Sequence, residues 1–128
     1  MIHLDTSVLI DALSGPRRSA ARLRRAIERG DRIQLATIVL YEWLRGPRLR
    51  EELAAQEALF PVGAAVVFGP EEAIVAAELF RAVRRARGRE IDLAVAACAV
   101  THGATLWTLN PRDFQDIPHL TLFVPDPG

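Results

Sequence analysis

The chain has 128 residues, half of them hydrophobic and a quarter charged, with sixteen basic and sixteen acidic residues cancelling to a formal net charge of zero. This is ordinary globular composition at the size of one domain, spanning 1–128, and no global basic field marks a polyanion partner. All sixteen basic residues are arginine, as a GC-rich genome would encode, which excludes any chemistry that requires a lysine; the single cysteine excludes an intramolecular disulfide.

Met1–Leu4 reads as a short buried strand that leads through Asp5 and Thr6 into a helix over Ser7–Leu13. Ser14-Gly15-Pro16 breaks it. Arg17–Arg29 sets Ala20, Leu23 and Ile27 on one helical stripe, with Gly30 as the stop. Ile33–Ala36 suits a second strand, and Thr37 is placed to N-cap a helix carrying Tyr41, Glu42 and Trp43 that ends at Gly46-Pro47. Tyr41 and Trp43 read as packing residues. Arg48–Phe60 is helical again, and Ala64–Phe68 is a third strand.

Pro70, followed by Glu71 and Glu72, is a helix start that suits the macrodipole. Ala73, Ala76, Phe80 and Val83 continue its apolar face. The next helix begins near Glu90 and runs to His102-Gly103, where glycine is a C-cap candidate. Thr105–Leu109 is a fourth strand, Pro111–Phe114 a turn, Thr121–Val124 a fifth strand, and the tail from Pro125 to Gly128 is expected to fray. Strands alternating with helices predict a parallel sheet covered on both faces. Cys98, among Ala96, Ala97 and Ala99, reads as a buried structural thiol. The N-terminus lacks a positive n-region and carries Asp5 and Asp11, unlike a signal peptide. No apolar run approaches the roughly 20 residues of a membrane span. A cytoplasmic protein without a membrane segment is expected.

Three carboxylates stand where elements meet: Asp5 after the first strand, Glu42 inside an apolar helix, and Asp92 in the first turn of a late helix. Such boundaries line the crevice at the carboxyl edge of a parallel sheet, where open α/β folds bind ligands. Carboxylates gathered there repel one another unless a cation joins them, and hard divalent ions prefer oxygen donors. Each acid also has a structural explanation. Asp5 can cap the helix it precedes, Glu42 can pair with Arg45, and Asp92 can serve the helix dipole. Thr108, Asn110 and Asp113 follow the fourth strand at the same edge. His3, His102 and His119 are too scattered for a histidine-based site and read as structural.

LDTSVLIDAL at the start, YEWLRG around Glu42, EIDLAVAACAV around Asp92 and TLNPRDF around Asn110 together resemble a PIN domain. Within that group the chain is similar to the VapC-type toxins of bacterial toxin–antitoxin pairs. The likeness runs over essentially the whole chain, with the motifs in family order. It implies a three-layer α/β/α fold with a central parallel sheet of about five strands. It also implies an Mg2+- or Mn2+-dependent endoribonuclease that acts on RNA, leaves a 5′-phosphate and a 3′-hydroxyl, forms a homodimer and is inhibited by a cognate antitoxin.

By position, Asp5, Glu42 and Asp92 match the family's three acidic metal-site residues, and Thr6 and Thr108 match flanking polar positions. The fourth family position falls at or near Asn110, an amide here. Asp113, three residues on, is the other candidate; Asn110 is favoured as the site-facing residue because it lies nearer the strand's end. Asp5 and Asp92 are expected as metal ligands, Glu42 as a ligand or as the group that orients the attacking water, and Asn110 as a hydrogen-bonding residue unable to act as a base. Arginines at 17, 18, 22, 24, 25, 45, 48, 50, 84, 85, 87 and 89 are the candidate RNA contacts. Leu49, Leu53, Leu59, Leu79 and Phe80 are candidate interface residues, and a partner helix is expected in an apolar groove near the first helices. Three alternatives remain: a catalytically weak PIN fold that only binds partners, an Mg2+-dependent phosphatase, and a receiver-like domain. The last two expect a lysine.

Overall fold

The structure, a computed structural model, describes residues 1–127; Gly128, the end of the expected frayed tail, lies outside them. Three parallel strands, β1 (Ile2–Leu4), β2 (Ile33–Gln34) and β3 (Thr105–Trp107), lie in the order β2-β1-β3. Ile2 pairs with Ile33 on one side and Thr105 on the other. Successive strand side chains point to opposite faces. Ile2, His3 and Leu4 are all buried, so both faces of the central strand are covered, as in parallel sheets generally.

The expected sheet of about five strands is three. The third and fifth expected strands shrink to single parallel bridges, Ala36 with Val66 and Leu106 with Leu122. Val66 donates to the Leu35 carbonyl and accepts from the Thr37 N–H, while Phe123 donates to Leu106. Each outer segment therefore touches the sheet at one register position. Pro61, Pro118 and Pro125 flank these segments and carry no N–H with which to lengthen a ladder.

Among the described residues six α-helices complete the fold: α1 (Thr6–Leu13), α2 (Ala20–Glu28), α3 (Thr37–Arg45), α4 (Arg50–Leu59), α5 (Pro70–Ala82) and α6 (Glu90–Thr101). α1 packs on α2, α3 and α4, and α5 lies along α6, which meets β3. Helix α6 is buried without interruption from Leu93 to Ala99. It ends in a Schellman turn: Gly103 adopts φ 64°, its N–H bonds to Val100, and the Ala104 N–H reaches Ala99 at 2.9 Å.

Several local expectations are corrected. The N-cap of α3 is Ala36, and Thr37 turns its hydroxyl to the Phe68 N–H. In α2 the buried residues are Leu23 and Ala26, with Ile27 exposed. In α5 Leu79 is buried and Ala73 exposed, so the inward stripe runs through Val75, Ala76 and Leu79. Tyr41 is exposed rather than packed, and Asp126 in the tail is ion-paired with Arg29. Helices α4 and α5 bury the acid of their first turn, Glu52 and Glu72, because each reaches back to a flanking backbone N–H, that of Leu49 and Gly69 respectively. Gln56, also buried, donates to the Phe60 carbonyl. The leucines of the same region face out, with Leu49 63% and Leu59 44% exposed.

Candidate functional site

The chain leaves β1 toward α2 and β2 on one side, while β3 continues to Leu122 on the other. The crevice between the carboxyl ends of β1 and β3 is thus a topological switch point. Asp5 closes β1 there, its N–H bonded to Trp107 at 2.8 Å, and Thr108 follows β3.

Asp5 occupies the N-cap position of α1 without capping it. Its Oδ2 instead accepts from the Thr108 hydroxyl at 2.7 Å and the Ser7 hydroxyl at 2.9 Å. Ser7 Oγ in turn accepts the Leu109 N–H, and Thr108 Oγ1 accepts the Asn110 N–H. The capping explanation for Asp5 is therefore not the one realised. Its carboxylate is tied across the crevice, with Oδ1 carrying no hydrogen bond among the described residues.

Glu42 projects from α3 and accepts from the Thr6 hydroxyl at 2.6 Å. Arg45 stands 3.5 Å from its other oxygen, so the pairing foreseen for Glu42 is present at its solvent side. Thr6 and Ser7, adjacent at the start of α1, thus each hold one acid.

Asp92, half-buried in the first turn of α6, has its carboxyl pushed up to about 6, first by burial and then by the charges of Asp5, Asp113 and Glu42, with Arg89 opposing. Four acids from four segments therefore share one field. Asp113, in the one-turn helix Pro111–Asp113, belongs to this field. Asn110 is exposed, and its side chain makes no hydrogen bond among the described residues.

The donor chemistry fits a hard divalent cation: carboxylate oxygens, no sulfur and no imidazole. As they stand, however, no three His, Cys, Asp or Glu side chains among the described residues are gathered tightly enough to enclose an ion. The histidines lie elsewhere. His102 faces Glu72 across 3.0 Å. His3 is buried with neither ring nitrogen hydrogen-bonded, and burial, with His102 nearby, holds it down at about 4.

Two arginines expected to contact RNA are engaged within the fold. Arg48 stacks 4.2 Å from the Trp43 ring centre and donates to the Trp43 carbonyl. Arg89 grips Asp116 with both terminal nitrogens. In sequence Arg89 stands among the arginines at 84, 85 and 87. Its position three residues before Asp92 was the available signal.

A groove of about 450 Å3 opens between α1, α2 and α4, lined by Ala12, Leu13, Leu23, Ile27 and Ala55 with Arg17 and Arg24 alongside. No helix among the described residues is long and apolar enough to cross a membrane.

The PIN domain family model matches residues 2–120. The chain is 34% identical over 119 residues to Ribonuclease VapC19 of Mycobacterium tuberculosis, covering 91% of this chain and 94% of that protein. Among solved structures it resembles DNA-bound VapBC from Salmonella typhimurium, with TM-score 0.72 and 22% identity over 95% of this chain and 96% of that one. It also resembles promoter-bound VapBC2 from Rickettsia felis, with TM-score 0.70 and 20% identity over 96% and 98% of the respective chains.

Proposed function

This chain belongs to the PIN domain family, and on that premise we propose that it is a metal-dependent endoribonuclease, the toxin of a type II toxin–antitoxin pair, working in the cytoplasm. The phosphatase and receiver alternatives fall away with the family and with the missing lysine. One observation carries the catalytic reading: Asp92 is raised by burial and then by the charges of Asp5, Asp113 and Glu42 converging on it, surroundings that disfavour ionisation until a cation enters.

In this reading Asp5 and Asp92 hold an Mg2+ or Mn2+ ion, with Glu42 beside them. A divalent ion bound there supplies the positive charge that a phosphodiester's oxygens need before water can attack phosphorus. The chain's own part is positioning. Thr108 and Ser7 fix one oxygen of Asp5 and leave the other available. Thr6 holds Glu42 at the crevice mouth, where it can orient the attacking water. For the fourth acid we favour Asp113 over Asn110, because Asp113 acts on Asp92. Arg45, beside Glu42 and over the Tyr41 ring, is suited to meet the RNA backbone.

For partners, the VapBC likeness supports a cognate antitoxin, and the groove between α1, α2 and α4 suits the apolar face of its helix. The outward leucines of α4 and Phe80 of α5 suit a two-fold homodimer. A second reading, a PIN fold that binds partners and cleaves weakly, draws on the looseness of the acidic group.

The test is cleavage of a labelled single-stranded RNA with Mg2+ or Mn2+, with chelator, and with Asp5→Asn. Ion-dependent cuts that vanish in chelator and in the variant are expected. Full cleavage in excess chelator would overturn the metal mechanism. No cleavage with either ion would leave the partner-binding reading.

A further inference from the structure

We propose that Arg89 and Asp116 form a clamp that holds the segment carrying Asp113 against the start of α6, making Arg89 a positioning residue for the acidic crevice; this rests on the reading of that crevice given above. Arg89 stands at the N-cap of α6, three residues before Asp92. Its guanidinium donates to both carboxylate oxygens of Asp116, at 2.8 and 2.6 Å. It also donates to the Asp113 carbonyl at 2.9 Å and to the Arg84 carbonyl at 3.2 Å. Two terminal nitrogens thus join three segments: the start of the α5–α6 connection, the N-cap of α6 and the turn after β3.

The segment has few other anchors. Its backbone bonds are internal: Asp113 to Asn110, Phe114 to Pro111 and Ile117 to Phe114. Among the described residues, every hydrogen bond from 111–117 to another element comes from Arg89. Phe114 and Ile117 are buried and hold the segment to the core, yet apolar contact is non-directional and does not aim a carboxylate. Asp113 and Asp92 carry like charges and repel, so the segment needs a directional tie to stay beside α6. The Arg89 side chain is only 21% exposed. Such an arginine, with its fork fully engaged, is a fixture of the fold rather than a free phosphate contact. A planar fork can grip a carboxylate with two parallel bonds; a lysine cannot.

Arg89→Lys keeps the charge and removes the fork, while Asp116→Asn removes the gripped charge on a half-exposed side chain. Amide hydrogen exchange is measured on the ion-free protein without RNA, and kcat and KM with the ion and RNA. The clamp predicts faster exchange across 110–117 in both variants. It predicts kcat lower by about 10- to 100-fold, as for lost orienting partners, with KM nearly unchanged. The double variant should be no worse than the poorer single one, since both break the same tie. Unchanged exchange, parent-like kcat in Arg89→Lys, or additive losses in the double variant would each overturn it. Because exchange is read without substrate, a parent protein that fails to cleave RNA would sink the ribonuclease reading while exchange still decides the clamp.

Discussion

The acidic crevice and the outward face of α4 break the hydrophobic sorting rule in opposite directions. In the crevice Asp5 is buried and Asp92 half-buried, with like charges for company. On α4 the polar Glu52 and Gln56 point inward while Leu49, Leu53 and Leu59 meet solvent. The buried polar groups of α4 are satisfied, since Glu52 takes a backbone N–H and Gln56 donates to a carbonyl. The acids of the crevice gain hydroxyl donors but little positive charge. One region thus gathers negative charge and the other presents apolar surface. Under the proposed function the two departures suit different guests: an ion with RNA in the crevice, a protein surface on the helix.

Substitutions in the crevice alone should cost the most activity. Asp5→Asn or Asp92→Asn should lower RNA cleavage by more than about 100-fold, beyond what loss of an outer-shell partner costs, while circular dichroism stays unchanged. Comparable loss from an α4 leucine variant would erase the distinction between the regions. Next, Asp113→Ala should reduce cleavage by at least about tenfold if it is the fourth acid, and Asn110→Ala should leave it within about twofold of the parent. The reverse ranking would return the role to Asn110.

The third effect is read as stability against pH. The folded Asp92 carboxyl lies at about 6 against an ordinary 3.8. Folded protein therefore binds more protons than unfolded protein between those values, so this residue's contribution falls as pH rises through that window. Above it the cost is at most about 2 kcal/mol after allowance for partial solvent screening. In chelator, urea titrations should show Asp92→Asn more stable than the parent at pH 7.5 and equal to it near pH 4. Equal stability at both would mean that neither burial nor repulsion penalises the Asp92 charge in the crevice. The smallest effect is Leu53→Glu, which should change monomer stability by no more than about 0.5 kcal/mol. Light scattering should nevertheless show self-association lost. A dimer that survives this change would detach α4 from the interface.

How much of this was legible in sequence varied with how locally each feature is decided. Helix ends were readable where a single residue sets them, as Pro70 and Gly103 do. The outer strands were not, because an apolar run such as Ala64–Phe68 shows β pattern whether it pairs along its length or at Val66 alone. The one-residue error in the buried stripes of α2 and α5 arose where alanines sit on several faces and leave periodicity ambiguous. Order along the chain singled out Asp5, Glu42 and Asp92 as candidates. The proposed preference for Asp113 over Asn110 rests on a one-turn helix that curls the chain back toward α6, and distance from a strand's end does not encode that curl. Arg89 was hidden among similar arginines, since only tertiary structure distinguishes a gripped guanidinium from a solvated one.

The lone thiol has a practical consequence. Cys98 lies fully buried in α6, six residues beyond Asp92, with burial pushing its thiol up to about 11. In the closed fold it is shielded from alkylating reagents, which attack accessible thiolates. Labelling must therefore wait for α6 to open, and its rate clocks that opening. Any ligand that favours the closed protein, whether an ion in the crevice or a partner in the groove, should slow the clock in proportion to its occupancy. The chain carries an internal timer through which binding can be followed without turnover, dye or tag.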